Sequence, residues 1–252
     1  MRRVPGGHLW PSLLVAGVVL WATATAETDL ARLWSSGGRI AEFLGRMVPP
    51  DLTVMPEVIK GTAETLRIAI LGTLGAVVLS IPLGLAAAAT VAPGWLHPPV
   101  RVLLALIRAI PLILVAMLMV GAVGLGPLPG IIAIAFHATG MLAKFYAEAI
   151  DDVARAPVEA LESAGAGMLQ RLRFAIWPQM APTVTRDTIF RFELNFRESL
   201  VLGIVGAGGI GFYIQSYIRS FQYEKAATVT IAVALLVVVI EGVNTLLRRR
   251  LA

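Results

Sequence analysis

The chain has no cysteine, which removes disulfide scaffolding, thiolate metal centres and cysteine nucleophiles together. Histidine is nearly as scarce. His8, His97 and His137 are the three present, and none stands at the i, i+4 spacing of a His-Glu-x-x-His site, so the sequence offers no metal centre. No segment reads G-x-x-x-x-G-K-[ST], the loop that cradles nucleotide phosphates, and no nucleophile–base set appears. An enzyme is therefore not expected, and any nucleotide chemistry has to be done by another subunit. Charge is thin as well: Asp, Glu, Lys and Arg make up 15% of the 252 residues, against 57% hydrophobic residues. With a mean hydropathy of +0.79, the chain is too apolar for an ordinary soluble domain.

What the sequence does have is long apolar runs. Runs sufficient to cross a bilayer, at roughly 20 residues each, fall near residues 11–26, 62–91, 99–123, 128–150, 181–204 and 226–247. The expectation is an all-α membrane protein of about six spans, forming one membrane domain over residues 1–252. Residues 1–61 would hold the first span and an extracytoplasmic linker, and residues 62–252 the core. At the amino terminus, Met1-Arg2-Arg3, the apolar run Ser12 to Ala22 and Ala24-Thr25-Ala26 carry the marks of a secretory signal peptide with its cleavage site. A retained first span is preferred, because more apolar spans follow. The linker from Glu27 to Gly61 mixes charges with Ser35-Ser36-Gly37-Gly38 and Pro49-Pro50-Asp51, which predicts an extramembrane connection with a short interfacial helix.

A net charge of +5 and a pI near 10.1 raise the question of nucleic acid. The basic residues, however, sit at the ends of apolar runs, where they set topology. Threading the spans with the amino terminus inside puts Arg2, Arg3, Arg101, Arg155, Arg171, Arg173 and Arg248 to Arg250 in the cytoplasm, together with both termini. Arg32, Arg39, Arg46 and Lys60 fall outside. The membrane lipid is then a partner, and nucleic acid is not.

The longest cytoplasmic connection, Asp151 to Pro178, predicts a short helix followed by a turn. Pro157 suits a first helical turn, Glu159 and Glu162 favour the positive end of the helix dipole, and Gly165 and Gly167 permit the backbone to leave the helix. Such an element between two spans can pass a push from a soluble partner to the helices it joins.

Glu159-Ala160-Leu161, Gly165 and Pro178 resemble the EAA loop of ABC importer permeases, with Leu161 in place of the second alanine and Trp177 where Leu is usual before the proline. The flanking segments, His137 to Lys144 with Phe145-Tyr-Ala-Glu-Ala, Arg191 to Arg197, and Val205 to Gly211, are similar to permeases of the phosphonate/phosphite type. The similarity reaches back to Pro49-Pro50-Asp51 and Glu64 to Leu74. Methionine-type permeases share a comparable glycine-rich stretch and loop. The resemblance implies a type I importer permease fold whose coupling helix docks in a groove of the ATPase. It also implies a second copy of the chain, two ATPase subunits carrying ATP and Mg, an extracytoplasmic substrate-binding protein, and a phosphorus oxyanion as cargo: phosphonate, phosphite, hypophosphite or phosphate. A methionine-type or other small-anion permease is the alternative within the class. An ion-coupled secondary transporter is the alternative outside it, but it requires inverted repeats, and the sequence has none.

Gly206-Ala-Gly208-Gly209-Ile-Gly211 satisfies G-x-G-x-x-G, yet a dinucleotide site needs that motif between a strand and a helix. Here a long apolar run precedes it. A tight small-residue reversal at the extracytoplasmic end of span five is expected instead, as part of a gate or as plain close packing. Ionisable residues inside spans are functional candidates by default, and span five carries the most. On a helix, Arg191, Asn195 and Glu198 share one stripe and Glu193 pairs with Arg197. Asn195 with Arg191 or Arg197 would line the path, where a guanidinium attracts an oxyanion by forked hydrogen bonding. Alternatively, Glu193–Arg197 and Arg191–Glu198 are internal salt bridges that fix packing. His137, Thr139 and Lys144 in span four, and Arg108 in span three, are further candidates.

Overall fold

The computed structural model describes residues 9–25 and 35–251. Lipid offers the backbone no hydrogen-bond partners, so a spanning chain must satisfy its own amides within helices or a closed barrel. Among the described residues the elements are helices, without a strand. The chain divides into two compact units, Met1–Val48 and Pro49–Ala252.

The first unit holds α1 (Leu9–Thr25) and α2 (Gly37–Gly45). α1 has 17 residues and is about 26 Å long at 1.5 Å per residue, somewhat short of a hydrocarbon layer of roughly 30 Å. The first expected span is therefore a short apolar helix, and Arg2, Arg3, Ala26 and the linker up to Trp34 lie outside the described residues. α2 corresponds to the short helix expected in the linker. Its Glu42 pairs with Arg46 at 2.6 Å.

The second unit starts earlier than the sequence suggests. The Asp51 carboxylate accepts hydrogen bonds from the Thr53 amide at 2.9 Å and the Thr53 hydroxyl at 2.6 Å, and these bonds hold the Asp51 carboxyl below the usual carboxylate range. The cap launches a 3₁₀ turn, Leu52–Val54, which runs directly into α3 (Met55–Ala87). Residues 55–61, expected in the linker, are thus helix, because Pro56 and Glu57 belong in a first turn and do not break the chain there.

α4 (His97–Ala109) and α5 (Leu112–Val123) follow, bent by 80° where one straight span was expected. The cause is Pro111: it drives Ile110 out of the helical region, to ψ 120°, and removes an amide donor. α6 (Pro127–Asp151), α7 (Arg155–Ser163) and α8 (Met168–Arg171) come next. A π-helical turn, Leu172–Ile176, leads into α9 (Trp177–Leu202), which ends in a 3₁₀ turn, Gly203–Val205. α10 (Ile210–Arg219) and α11 (Tyr223–Leu251) close the unit. Among the described residues, four helical stretches, 52–87, 127–151, 168–219 and 223–246, are long and apolar enough to cross a membrane, five if the bent α4–α5 pair is taken as one span, against the six runs read from the sequence.

Helices gain little hydrophobic drive from one another in lipid, so close packing needs small residues at the contact. α3 buries Gly61, Thr65, Ala69, Gly72, Thr73, Ala76, Ser80 and Gly84 along one stripe. A Cβ on Gly72 would stand 2.6 Å from Cγ2 of Ile134, and one on Gly84 2.9 Å from Cβ of Tyr146. The partner numbers rise together, so α3 and α6 run parallel and in close contact. The spans adjacent in sequence are antiparallel, and the central contact of the unit is between elements that the sequence separates.

Candidate functional site

Residues 151–178 form one built segment. The Asp151 carboxylate ends α6 and accepts hydrogen bonds from the Ala89 amide at 3.2 Å, the Thr90 amide at 2.9 Å, the Thr90 hydroxyl, and Arg101 at 2.7 Å. It therefore fastens the α3–α4 connection to the start of the segment. On the other side, Gln179 Oε1 accepts from the Ala154 amide at 3.0 Å while its Nε2 donates to the Ala175 carbonyl at 2.8 Å, tying the same point to α9.

α7 lies between these anchors, with none of its residues buried. It ends as Gly165 was expected to end it. Gly165 has φ +80°, its amide donates to the Glu162 carbonyl at 2.9 Å, and the Ala166 amide donates to Leu161 at 2.9 Å. This paired closure requires a left-handed residue after the cap, where glycine has no Cβ penalty. The placement of the acids differs from expectation. The helix begins at Arg155, so Pro157 is in its first turn, Glu159 is one turn further on, and Glu162 is in the last turn, where it pairs with Arg171 at 3.0 Å. Pro178 sits in the first turn of α9, immediately after the π turn. Its ring cannot accommodate the carbonyl four residues back, and the wider turn relieves that clash. Pro157, Glu159, Ala160, Gly165 and Pro178 are exposed and Leu161 half-buried. Apolar Leu169, 79% exposed, and Phe174, 63% exposed, follow in the same segment.

Within the membrane, α9 distributes its polar residues over separate sites. Arg191 is buried, and its Nη2 donates to Glu198 at 2.9 Å and lies 3.1 Å from Nδ1 of His137 on α6. The Asn195 side-chain amide donates to the Thr73 hydroxyl of α3 at 2.9 Å, and the Thr73 hydroxyl donates to the Ala69 carbonyl. Arg197 turns the other way, reaching Glu193 at 3.0 Å and Glu241 of α11 at 3.2 Å. Both ion pairs considered from spacing are formed. Lys144 is remote from these groups, pairing with Glu148 at 3.3 Å beside a cavity of about 510 Å³ shared with Arg101 and Arg108.

The glycine segment lies at the opposite end of the unit from residues 151–178. Gly206, Gly208 and Gly209 all have positive φ; a Cβ on Gly211 would fall 2.0 Å from the Leu200 carbonyl oxygen. The Ile210 amide donates to Thr65 at 2.8 Å and the Gly126 amide to the Gly206 carbonyl at 3.1 Å. This is a tight reversal knitted to α3 and to the start of α6, with a helical element on each side of the motif, as its dismissal as a dinucleotide site requires.

Residues 80–252 match the family described as binding-protein-dependent transport system inner membrane component. The chain belongs to this family. It is a multi-pass transport permease, and the exposed α7 with its glycine closure falls inside the matched region. The phosphite transport system permease protein PtxC of Stutzerimonas stutzeri is 39% identical over 241 residues, covering 94% of this chain and 86% of that protein. The phosphate-import permease protein PhnE of Mycolicibacterium smegmatis is 38% identical over 233 residues, covering 91% of this chain and 42% of that protein. A solved structure of the MetNI methionine ABC transporter in an inward-facing conformation contains a chain of the same fold, with TM-score 0.70 and 22% identity, covering 80% of this chain and 99% of that one. At that identity the likeness shows the fold alone.

Asp151, Gln179, Thr73 and Glu241 were not singled out from sequence. Asp151 had a readable signal, an acid at the junction of an apolar run and a polar loop. The other three act through partners distant in sequence, which no local pattern discloses.

Proposed function

We propose that the chain is the membrane subunit of an ATP-driven importer of phosphorus oxyanions, phosphite or phosphonate first and phosphate next. The observation that carries the reading is the kinship to a phosphite permease across 94% of the chain. In this reading two copies form the path, two ATPase subunits dock on α7 from the cytoplasm, and a binding protein delivers the anion at the glycine-rich end. Both termini are cytoplasmic. The exposed α7 suits docking because the backbone that enters it is fixed through Asp151 and Gln179 to the α3–α4 connection, α4 and α9, so a push on it reaches all three. Thr73, Asn195, His137 and Arg191 line or support the path, and the reversal at Gly206 to Gly211 forms part of its outer gate.

The test is reconstitution of the chain with the ATPase and binding protein that co-purify with it, followed by uptake of phosphite, phosphate and methionine. ATP-dependent phosphite uptake is expected. Methionine uptake in its place, or the lack of any ATPase partner, defeats the reading. Glu159→Lys and Gly165→Leu are expected to lose the ATPase on purification while the permease stays folded.

A further inference from the structure

The cations carried by α4, α6 and α9 are not equivalent. Arg191 is held by Glu198, Lys144 by Glu148 and Arg101 by Asp151, at 2.9, 3.3 and 2.7 Å. Arg197 has two carboxylates, Glu193 and Glu241. Arg108 takes part in no ion pair among the described residues, although it is in the last turn of α4 and close to α6. Its depth follows from Gly140. A Cβ there would stand 3.0 Å from Cγ of Arg108 and 3.1 Å from the Leu104 carbonyl, so the absence of a side chain lets α4 lie directly on α6. Gly140 is about 16 Å from Asp151 along the α6 axis, near the middle of a hydrocarbon layer of about 30 Å. An unpaired guanidinium at that level is costly unless it meets water or an anion.

Arg108 opens on such a space. It lines the cavity of about 510 Å³ with Arg101, Leu104, Lys144 and Glu148, which extends from mid-depth toward the end bearing residues 151–178. Side chains on a helix lean toward its amino terminus, so Arg108 on α4 points along the cavity toward Arg101. We infer that Arg108, the one cation lining this cavity that has no carboxylate partner among the described residues, is the anion-binding group of the cavity, and that it takes a tetrahedral phosphorus oxyanion. Its guanidinium offers the forked donors that such an oxyanion accepts. The neighbouring cations are already neutralised by Glu148 and Asp151, so a single net positive charge holds the ligand and permits release. This inference rests on the proposed cargo and names the residue that meets it. The same chemistry belongs to a phospholipid headgroup, and the experiment separates the two sources.

The complete transporter, with ATPase and binding protein, is reconstituted with the permease as wild type, Arg108→Gln or Arg108→Lys. Phosphite uptake and binding-protein-stimulated ATP hydrolysis are measured in vesicles of phosphatidylcholine alone and in vesicles containing phosphatidylglycerol. Arg108→Gln is expected to lower phosphite uptake about ten- to hundredfold, as the loss of one charge-assisted donor group, with ATP hydrolysis retained and Arg108→Lys recovering much of the uptake. Equal loss in both vesicle types identifies the transported anion as the ligand. Loss confined to phosphatidylglycerol vesicles upholds the oxyanion site and assigns it to anionic lipid. Unchanged uptake in Arg108→Gln overturns the inference while leaving the cargo reading intact. Loss accompanied by failed assembly, or not recovered by Lys, assigns Arg108 to packing and also overturns it. If the wild-type complex takes up no phosphorus oxyanion, the cargo reading fails first and the inference with it.

Discussion

Arg191 shows how a charge is tolerated inside this permease. Its side chain is 3% exposed, its carboxylate partner Glu198 29% exposed, and His137 approaches the same guanidinium nitrogen. A buried pair contributes little net stability relative to apolar residues of similar size, yet removing one partner leaves the other charge uncompensated. Glu198→Gln is therefore expected to destabilise the permease by roughly 3 kcal/mol, at the lower end of the range for buried pairs because Glu198 keeps some exposure. The double variant Arg191→Met/Glu198→Met should recover most of that loss. Denaturant titrations of the purified single and double variants check the cycle, and uptake by the double variant separates a packing role from a place in the path. Destabilisation that persists in the double variant would show that His137 or Met141 depends on Arg191 for its own position.

The helical elements end and meet through two distinct uses of glycine. At Gly165 the requirement is conformational: φ is +80° and the space where a Cβ would point is open. Gly165→Ala should therefore cost only about 1–2 kcal/mol, the price of a left-handed alanine, and should show itself as loosened ATPase docking. At Gly211 the requirement is steric, because a Cβ would fall 2.0 Å from the Leu200 carbonyl, a backbone atom that cannot rotate away. Gly211→Ala should cost at least 1–3 kcal/mol, in the manner of overpacking, and should lower the thermal midpoint in detergent more than Gly165→Ala does. The reverse ranking would mean that the reversal at Gly206 to Gly211 is loose, and would remove it as a gate element. Asp151 acts at the same scale, joining the α3–α4 connection, α4 and α6 through one carboxylate. Asp151→Asn should weaken this joint and uncouple ATP hydrolysis from uptake, measured in the same vesicles, before it prevents folding.

At the scale of the whole molecule, a permease with so much apolar surface exposed along α3, α4, α5 and α11 is built to be covered by lipid and by protein. The expected outcome is a dimer of permeases in nanodiscs, read as mass, with two ATPase subunits bound; a monomer carrying one ATPase would refute the paired path. The sequence by itself determined the membrane class, the positions of the apolar runs, the short helix after Asp151 with its terminating Gly165, and the reversal at Gly206 to Gly211. Those features depend on local composition and on backbone rules that act over a few residues. It also showed which ion pairs α9 can form at i, i+4 and i+7. Only the tertiary structure decided that α3 and α6 run parallel in the closest contact, that Pro111 bends the third run, and that residues 55–61 extend α3. Likewise, only the fold could show that Asn195 reaches Thr73, that Arg197 faces Glu241, and that Arg108 is left without a carboxylate among the described residues. The physical reason is the same in each case: small residues state that a close approach is allowed but not with which partner, and a charge is paired or unpaired only once helices distant in sequence have been brought together.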